Sequence, residues 1–145
     1  MLSRLNYNLF IVFFSKLFCI NIGSIVEKMK VLAHHIYEYK KGLRKLILHT
    51  LPAKFRFQAE TRLKMVGIDF ITRQVSPTKI NIFFGDSACI NVIEHIGDKP
   101  FNEFTPEEDF ILGTLLGYDR IQQCDRYLHF CEKQNLKKRL NQKTA

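Results

Sequence analysis

The residues best equipped for chemistry cluster early in the chain. His34-His35 with Tyr37 and Glu38 puts two imidazoles, a phenol and a carboxylate within five residues. Adjacent residues point about 100° apart on a helix and to opposite faces on a strand, so the two histidines do not readily chelate one ion. His34 and Glu38, four apart, share a helical face, but zinc needs three or four ligands. Cys124 is the thiol that would complete a metal or small-molecule site with His34, His35 and Glu38, in a crevice between the first helix and the C-terminal helices. Cys131 lies two helical turns from Cys124, about 10 Å along the axis, too far for a disulfide and awkward for a shared metal. A thiol beside a histidine also pairs nucleophile with base. No G-x-S-x-G or cysteine-protease signature supports that use. The favoured reading is therefore core or hydrogen-bonding histidines and buried thiols, with no catalytic residue and no cofactor.

The second chemical feature is charge. Lys40, Lys41, Arg44, Lys45, Lys54, Arg56, Arg62 and Lys64 face a single acid, Glu60, between residues 40 and 64. Lys54-Phe55-Arg56-Phe57 alternates base and aromatic as nucleic-acid surfaces do. No RNA-binding signature accompanies it, so nucleic acid ranks third among the partners. Docking of an acidic protein onto Lys40, Lys41, Arg44, Lys45, Lys54 and Arg56 is preferred, because complementary charge speeds and orients encounter. The bland alternative is a solvated basic face with Phe55 in the core. Phe84-Gly85-Asp86-Ser87 marks a strand-to-helix junction, and helix N-termini attract anions. One Gly without Walker or Rossmann spacing is weak evidence, and Asp86 repels phosphate, so a plain cap is expected.

Composition sets the frame. The chain has 145 residues, 46% apolar and 25% charged, with thirteen Phe and no Trp, enough for one domain with a core of its own. The formal charge of +8 is uneven. Met29–Glu132 carries 14 Lys+Arg against 13 Asp+Glu, while Lys133, Lys137, Lys138, Arg139 and Lys143 follow with no acid. Cys19, Cys89, Cys124 and Cys131 are scattered without a C-x-x-C, which suits reduced thiols and a cytoplasmic protein. Residues 1–28 contain one uninterrupted apolar run, Leu9–Phe14, too short for the roughly 20 residues of a membrane span. They also lack a signal-peptide cleavage site. The favoured reading is a mis-assigned start or disordered extension ahead of Met29; membrane or export segments and a packed helix are the alternatives.

Periodicity positions these groups. Residues 31–41 suit a helix through Leu32, Ile36 and Tyr39, although alternation also fits a strand, and Gly42 stops it. Leu46–Leu51 reads as a buried strand ended by Pro52, and Ala53–Val66 as a helix with Phe55, Ala59, Leu63 and Val66 inward. Asp69–Val75 and Lys79–Phe84 form a hairpin around Ser76-Pro77-Thr78. Ile80, Ile82 and Phe84 occupy one face, with Phe70 and Phe83 available to the other. A helix from Ser87 to Ile96 turns Cys89, Val92, Ile93 and Ile96 inward. Thr105-Pro106-Glu107-Glu108 is a capping box with Pro at the first helical position. Past a break at Gly117, Tyr118, Ile121, Cys124, Leu128 and Cys131 continue a 3/4-spaced stripe to about Gln134. Asn135–Ala145 is polar and basic and is expected to fray. The result is an α+β domain over 29–134, in the order α-β-α-β-β-α-α-α. Its three-stranded sheet resembles a ferredoxin-like unit lacking its last strand, and 135–145 is a disordered basic tail. Open sheet edges favour a homodimer.

Three blocks carry a resemblance: Ala33-His34-His35-Ile36-Tyr37-Glu38 with Lys41-Gly42; Ile80-Asn81-Ile82-Phe83-Phe84-Gly85; and Thr105–Gly113 running through Leu116-Gly117-Tyr118-Asp119 to Gln123-Cys124. In order and at these spacings they resemble a small bacterial family, the domain of unknown function number two thousand and twenty-three, over about Met29 to Leu128. The resemblance implies three strands, five helices and a homodimer, and brings no activity, cofactor or catalytic residue. It also implies a genetic neighbourhood with flavodoxins, hence an acidic redox protein as possible partner. Function is accordingly expected to be that of a non-enzymatic accessory protein docking an acidic, flavodoxin-like partner. Ligand or metal binding at His34, His35 and Cys124 is the alternative.

Overall fold

The computed structural model describes residues 26–143. Residues 1–25, most of the stretch read as a mis-assigned start or disordered extension, lie outside the described residues. The chain divides into two compact units, Met1–Tyr37 and Glu38–Ala145. In the first, residues 26–37 are helical with Leu32 and Ile36 buried. This helix, α1, continues to residue 40, and the Leu43 N–H donates to the Glu38 carbonyl (3.1 Å) across Gly42.

In the second unit follow β1 (Leu46–Pro52), a 3-10 turn, α2 (Arg56–Met65), β2 (Asp69–Ser76), β3 (Lys79–Gly85), α3 (Ser87–Ile96), a second 3-10 turn (Phe101–Glu103), α4 (Pro106–Leu115) and α5 (Arg120–Lys143). With α1 the order is the expected α-β-α-β-β-α-α-α. The sheet order is β1-β3-β2, with β3 antiparallel to both neighbours. β1 and β2 are therefore parallel to each other on either side of β3, as in the first three strands of a ferredoxin-like sheet. The hairpin turn is two residues, Pro77-Thr78, because Ser76 pairs with Lys79.

Both faces of the sheet are covered. On one, Leu46, Leu48, Phe83 and Ile71 meet Ile90 and Ile93 of α3, Leu112 of α4 and Leu116, the C-cap of α4. Inward turn positions of this kind are each stabilising by about 1.5–3 kcal/mol relative to exposure. α2 packs against β2 and buries Phe55, Ala59 and Leu63, which take no part in that cluster. Register corrects one expectation: Phe70 pairs with Phe84, and Phe83 with Ile71. Phe70 thus shares the face of Phe84 rather than that of Phe83, since directly opposed residues point the same way. In α3, Ile90 takes the inward place expected of Val92, which is 37% exposed. Cys89 and Ile96 are half-buried. The inward arc centres on Ile90 and Ile93 because α3 is flanked by β2 and α4.

The capping box forms in full. The Glu108 N–H donates to Thr105 Oγ1 (3.2 Å), and the Thr105 N–H donates to Glu108 Oε2 (2.8 Å). Lys99 Nζ adds a bond to Glu108 Oε1 (2.6 Å). Those bonds, the Lys99 one foremost, hold the Glu108 carboxyl below its ordinary range. A carboxylate depressed in the folded state contributes stability that is complete above its unfolded value, about 4.3, and is lost as pH falls through the lower folded value. Glu108→Gln is therefore expected to flatten the acid limb of a stability–pH curve below about pH 4.5 while changing its shape little near neutrality. Thermal melts from pH 2 upward, about half a unit apart, check this; parallel acid limbs for both proteins would refute it.

α4 ends in a cap in which the Tyr118 N–H donates to the Gly113 carbonyl (3.1 Å). Asp119 then caps α5 through the Gln122 N–H (2.9 Å). α5 is clamped to α4 by a fork of Arg126 onto Asp109, 2.6 and 3.0 Å, and by Tyr127 beside Phe110, ring centroids 5.6 Å apart. Two expectations change here. The helix runs on to Lys143, through residues read as a fraying tail. Its side chains from Glu132 to Gln142 are exposed. The expected stripe does not face the fold either: Ile121 is 70% and Leu128 58% exposed, and Cys124 is exposed rather than a buried thiol. Gln123, packed into the notch left by Gly113, is the buried residue instead.

Candidate docking face and buried arginine

The loop from Gly42 to Lys45 joins α1 to β1. Its geometry is set by strand pairing: the Asp86 N–H donates to the Lys45 carbonyl (2.8 Å), tying the start of β1 to the end of β3. Leu43, an apolar residue, is left 71% exposed at the centre of this loop. Leu43, Arg44 and Lys45 line an open hollow of about 630 Å³ together with Cys89, Leu115 and Tyr118. Arg44 Nη1 is 3.7 Å from Glu38 Oε2. The lining thus combines apolar residues with two basic ones, and in sequence Lys40, at the end of α1, and Lys41 precede them.

The surroundings of Cys89 disfavour its thiolate. Burial, and then the Asp86 carboxylate, push its thiol up, while Lys45 opposes them in part. A protonated thiol is a poor nucleophile and metal ligand. Tyr39 is raised in the same way, by burial first and then by Asp86 and Asp69.

The basic residues singled out in sequence do not form one patch. Lys40, Lys41, Arg44 and Lys45 precede β1, whereas Lys54 and Arg56 follow it. Seven strand residues separate the two groups by roughly 23 Å. Lys54 lies over the Phe55 ring, 5.0 Å from its centroid, and Arg56 pairs with Glu60 at 2.8 Å, one helical turn on. Both are thus occupied within α2 and its approach.

His34 and His35 belong to the first unit, with ring centroids 6.2 Å apart and planes tilted by 52°. Glu38 and Cys124 belong to the second. Glu38 is turned toward Arg44, and Cys124 is on the outer surface of α5. Among the described residues, no three His, Cys, Asp or Glu side chains are placed to hold a metal ion. No helix among them is long and apolar enough to cross a membrane.

The sequence reading passed over Arg73. It lies on β2 opposite Asn81 and only 7% exposed. Its Nη2 donates to the Ile93 carbonyl (2.6 Å), its guanidinium sits 5.4 Å from the Phe83 ring centroid, and Nε is 3.8 Å from Asp98 Oδ1. Nη1 is buried with no hydrogen-bond partner among the described residues. Burial lowers the affinity of this guanidinium for its proton, and Asp98 offsets part of that. The signal available in sequence was a cation in phase with Ile71, on the inward face of a strand.

The model of a family described as a protein of unknown function (DUF2023) matches residues 30–130. No curated protein matches the chain.

Proposed function

The chain belongs to the DUF2023 family, and we propose that it is a non-enzymatic, cytoplasmic accessory module that docks an acidic partner protein on the Lys40–Lys45 face. The observation carrying this reading is Leu43, 71% exposed just ahead of Arg44 and Lys45, with which it lines an open hollow. An apolar anchor ringed by charge is the arrangement from which interface affinity and orientation arise together. A flavodoxin-like redox protein, acidic and soluble, is the preferred partner. Self-association through the outer face of α5 accompanies this role. Ile121, Cys124 and Leu128 fall within about 60° of each other at 100° per residue, on the side away from Gln123 and Tyr127.

The test is titration of the full chain with a purified flavodoxin at about 0.01 M and about 0.3 M salt, where the screening length shrinks several-fold. Binding at low salt, weakened about tenfold or more at high salt and by Lys45→Glu, is the expected result. Leu43→Asp removes the anchor and is expected to weaken binding about tenfold at either salt. No complex at low ionic strength ends the docking reading. Sedimentation reads the dimer separately: Ile121→Asp with Leu128→Asp should give a monomer, and a monomeric wild type ends that part.

A further inference from the structure

The last turns of α5 carry more charge and more apolar surface than the fold uses. From Lys133 to Lys143 the helix holds five bases and no acid, and Leu136 among them is 57% exposed. Lys133 and Lys137, one turn and about 6 Å apart along the axis, line an open groove of about 690 Å³ with Phe130 and Leu136 of the same helix. Phe101 and Phe104 line it from the segment of the second 3-10 turn. Their rings meet edge to face, centroids 5.4 Å apart, and Phe101 is 46% exposed.

The charge of this groove is one-sided. Asp109, the carboxylate in its lining, is already taken by the Arg126 fork, and Arg126 lies over the Phe130 ring, 4.9 Å from its centroid. That internal pair is neutral, so Lys133 and Lys137 set the sign of the field that an arriving group meets. The lining residues belong to helices and the 3-10 segment, with no strand edge among them. An extended chain would find no ladder there for its backbone, whereas a helix satisfies its own. The groove follows α5 from Phe130 to Leu140, about 15 Å and nearly three turns, which is the length of a short helix.

We propose that this groove docks an acidic amphipathic helix of a partner protein, its apolar stripe against Phe101, Phe104 and Leu136 and its carboxylates on Lys133 and Lys137. Carboxylates at i and i+4 of a helix repeat at the spacing of the two lysines. A lining drawn from two elements suits a helix ridge better than a bilayer, whose planar surface takes a single amphipathic face. Lys133 and Lys137 lie about 120–180° around α5 from Ile121, Cys124 and Leu128 at 100° per residue, so the groove does not compete with self-association through that stripe. None of its residues lines the hollow beside Leu43, and the proposal stands independently of docking there.

The probe is a synthetic capped peptide of about 16 residues, with a leucine stripe at helical spacing, flanking glutamates one turn apart and one tryptophan in the stripe. The chain has no tryptophan, so a blue shift of the peptide's emission on titration with the full chain reads its burial. At about 0.01 M salt a Kd of about 100 μM or tighter is expected, weakened about tenfold at about 0.3 M. Lys133→Glu with Lys137→Glu should weaken binding about tenfold or more, and so should replacing the peptide's glutamates by lysines. Leu136→Asp, at an exposed position, should weaken it about fivefold at either salt. Arg62→Glu with Lys64→Glu, the same charge change on α2, should weaken it about twofold or less. The proposal is overturned by no saturation at about 0.5 mM chain, by equal binding of the lysine peptide, by Leu136→Asp leaving affinity unchanged, by an equal loss in the α2 variant or in Leu43→Asp, or by displacement of the peptide by anionic phospholipid vesicles. Sedimentation completes the test: Leu136→Asp is expected to keep the oligomeric state of the wild type, and a dimer that this variant dissociates would give the groove to a second copy and overturn the proposal.

Discussion

Gly85→Ala is expected to destabilise the protein by about 4 kcal/mol, a large part of a typical total of about 5–15 kcal/mol. Gly85 closes β3 with φ +153° and lies opposite Leu46. A Cβ there would overlap the Lys45 carbonyl oxygen, and would stand 3.0 Å from that carbonyl's carbon and 3.1 Å from Leu46 Cα. These are backbone atoms fixed by the β1–β3 ladder and cannot yield separately. The conformation itself costs a side chain about 1–3 kcal/mol, and the overlap adds to it. Gly97→Ala provides the comparison. Gly97 has φ +88° but nothing within 4 Å of its would-be Cβ, so that variant should show the conformational cost alone, about 1 kcal/mol. Urea unfolding of both reads the difference. Equal losses would mean that the contact with Lys45 carries no weight. The carbonyl that an added Cβ would meet belongs to Lys45, whose side chain lines the hollow beside Leu43.

Phe83→Ala is expected to cost about 3–5 kcal/mol, the range for emptying a fully buried aromatic site. Phe83 has no exposed surface, sits at the centre of the cluster joining the sheet to α3 and α4, and touches Phe101 and the Arg73 guanidinium. Removing it opens a cavity and strips the arginine of its aromatic face together. Phe83→Leu retains most of the volume and should cost about 1 kcal/mol. The pair separates packing from the aromatic contact. If Phe83→Leu keeps stability yet the Arg73 side-chain N–H moves or broadens, the ring is what positions the guanidinium. A loss below about 1 kcal/mol for Phe83→Ala would contradict the packing described here.

Features written in local chemistry were legible from the residues alone. The capping box at Thr105–Glu108, the stop at Gly42, the break at Gly117-Tyr118-Asp119 and the eight-element order each depend on residues within one or two turns of one another. Hydrogen bonds and periodicity of that range are readable without knowing what packs where. The family was legible for the same reason, through three blocks of adjoining residues. The remaining features depend on pairing across the chain. Strand register placed Phe70 with Phe84, because a strand's face assignment relative to its neighbour follows from which residue stands opposite, not from alternation alone. The length of β1 split a basic segment that is continuous in sequence into two groups at its ends. The α5 stripe had a helical period but no address: a single gap at Gly113 turned Gln123 inward and Ile121 and Leu128 outward. Arg73 shows the same limit most sharply, since its burial, its aromatic neighbour and its remaining donor edge come from β3, α3 and the segment at Asp98, which meet only once the chain has folded.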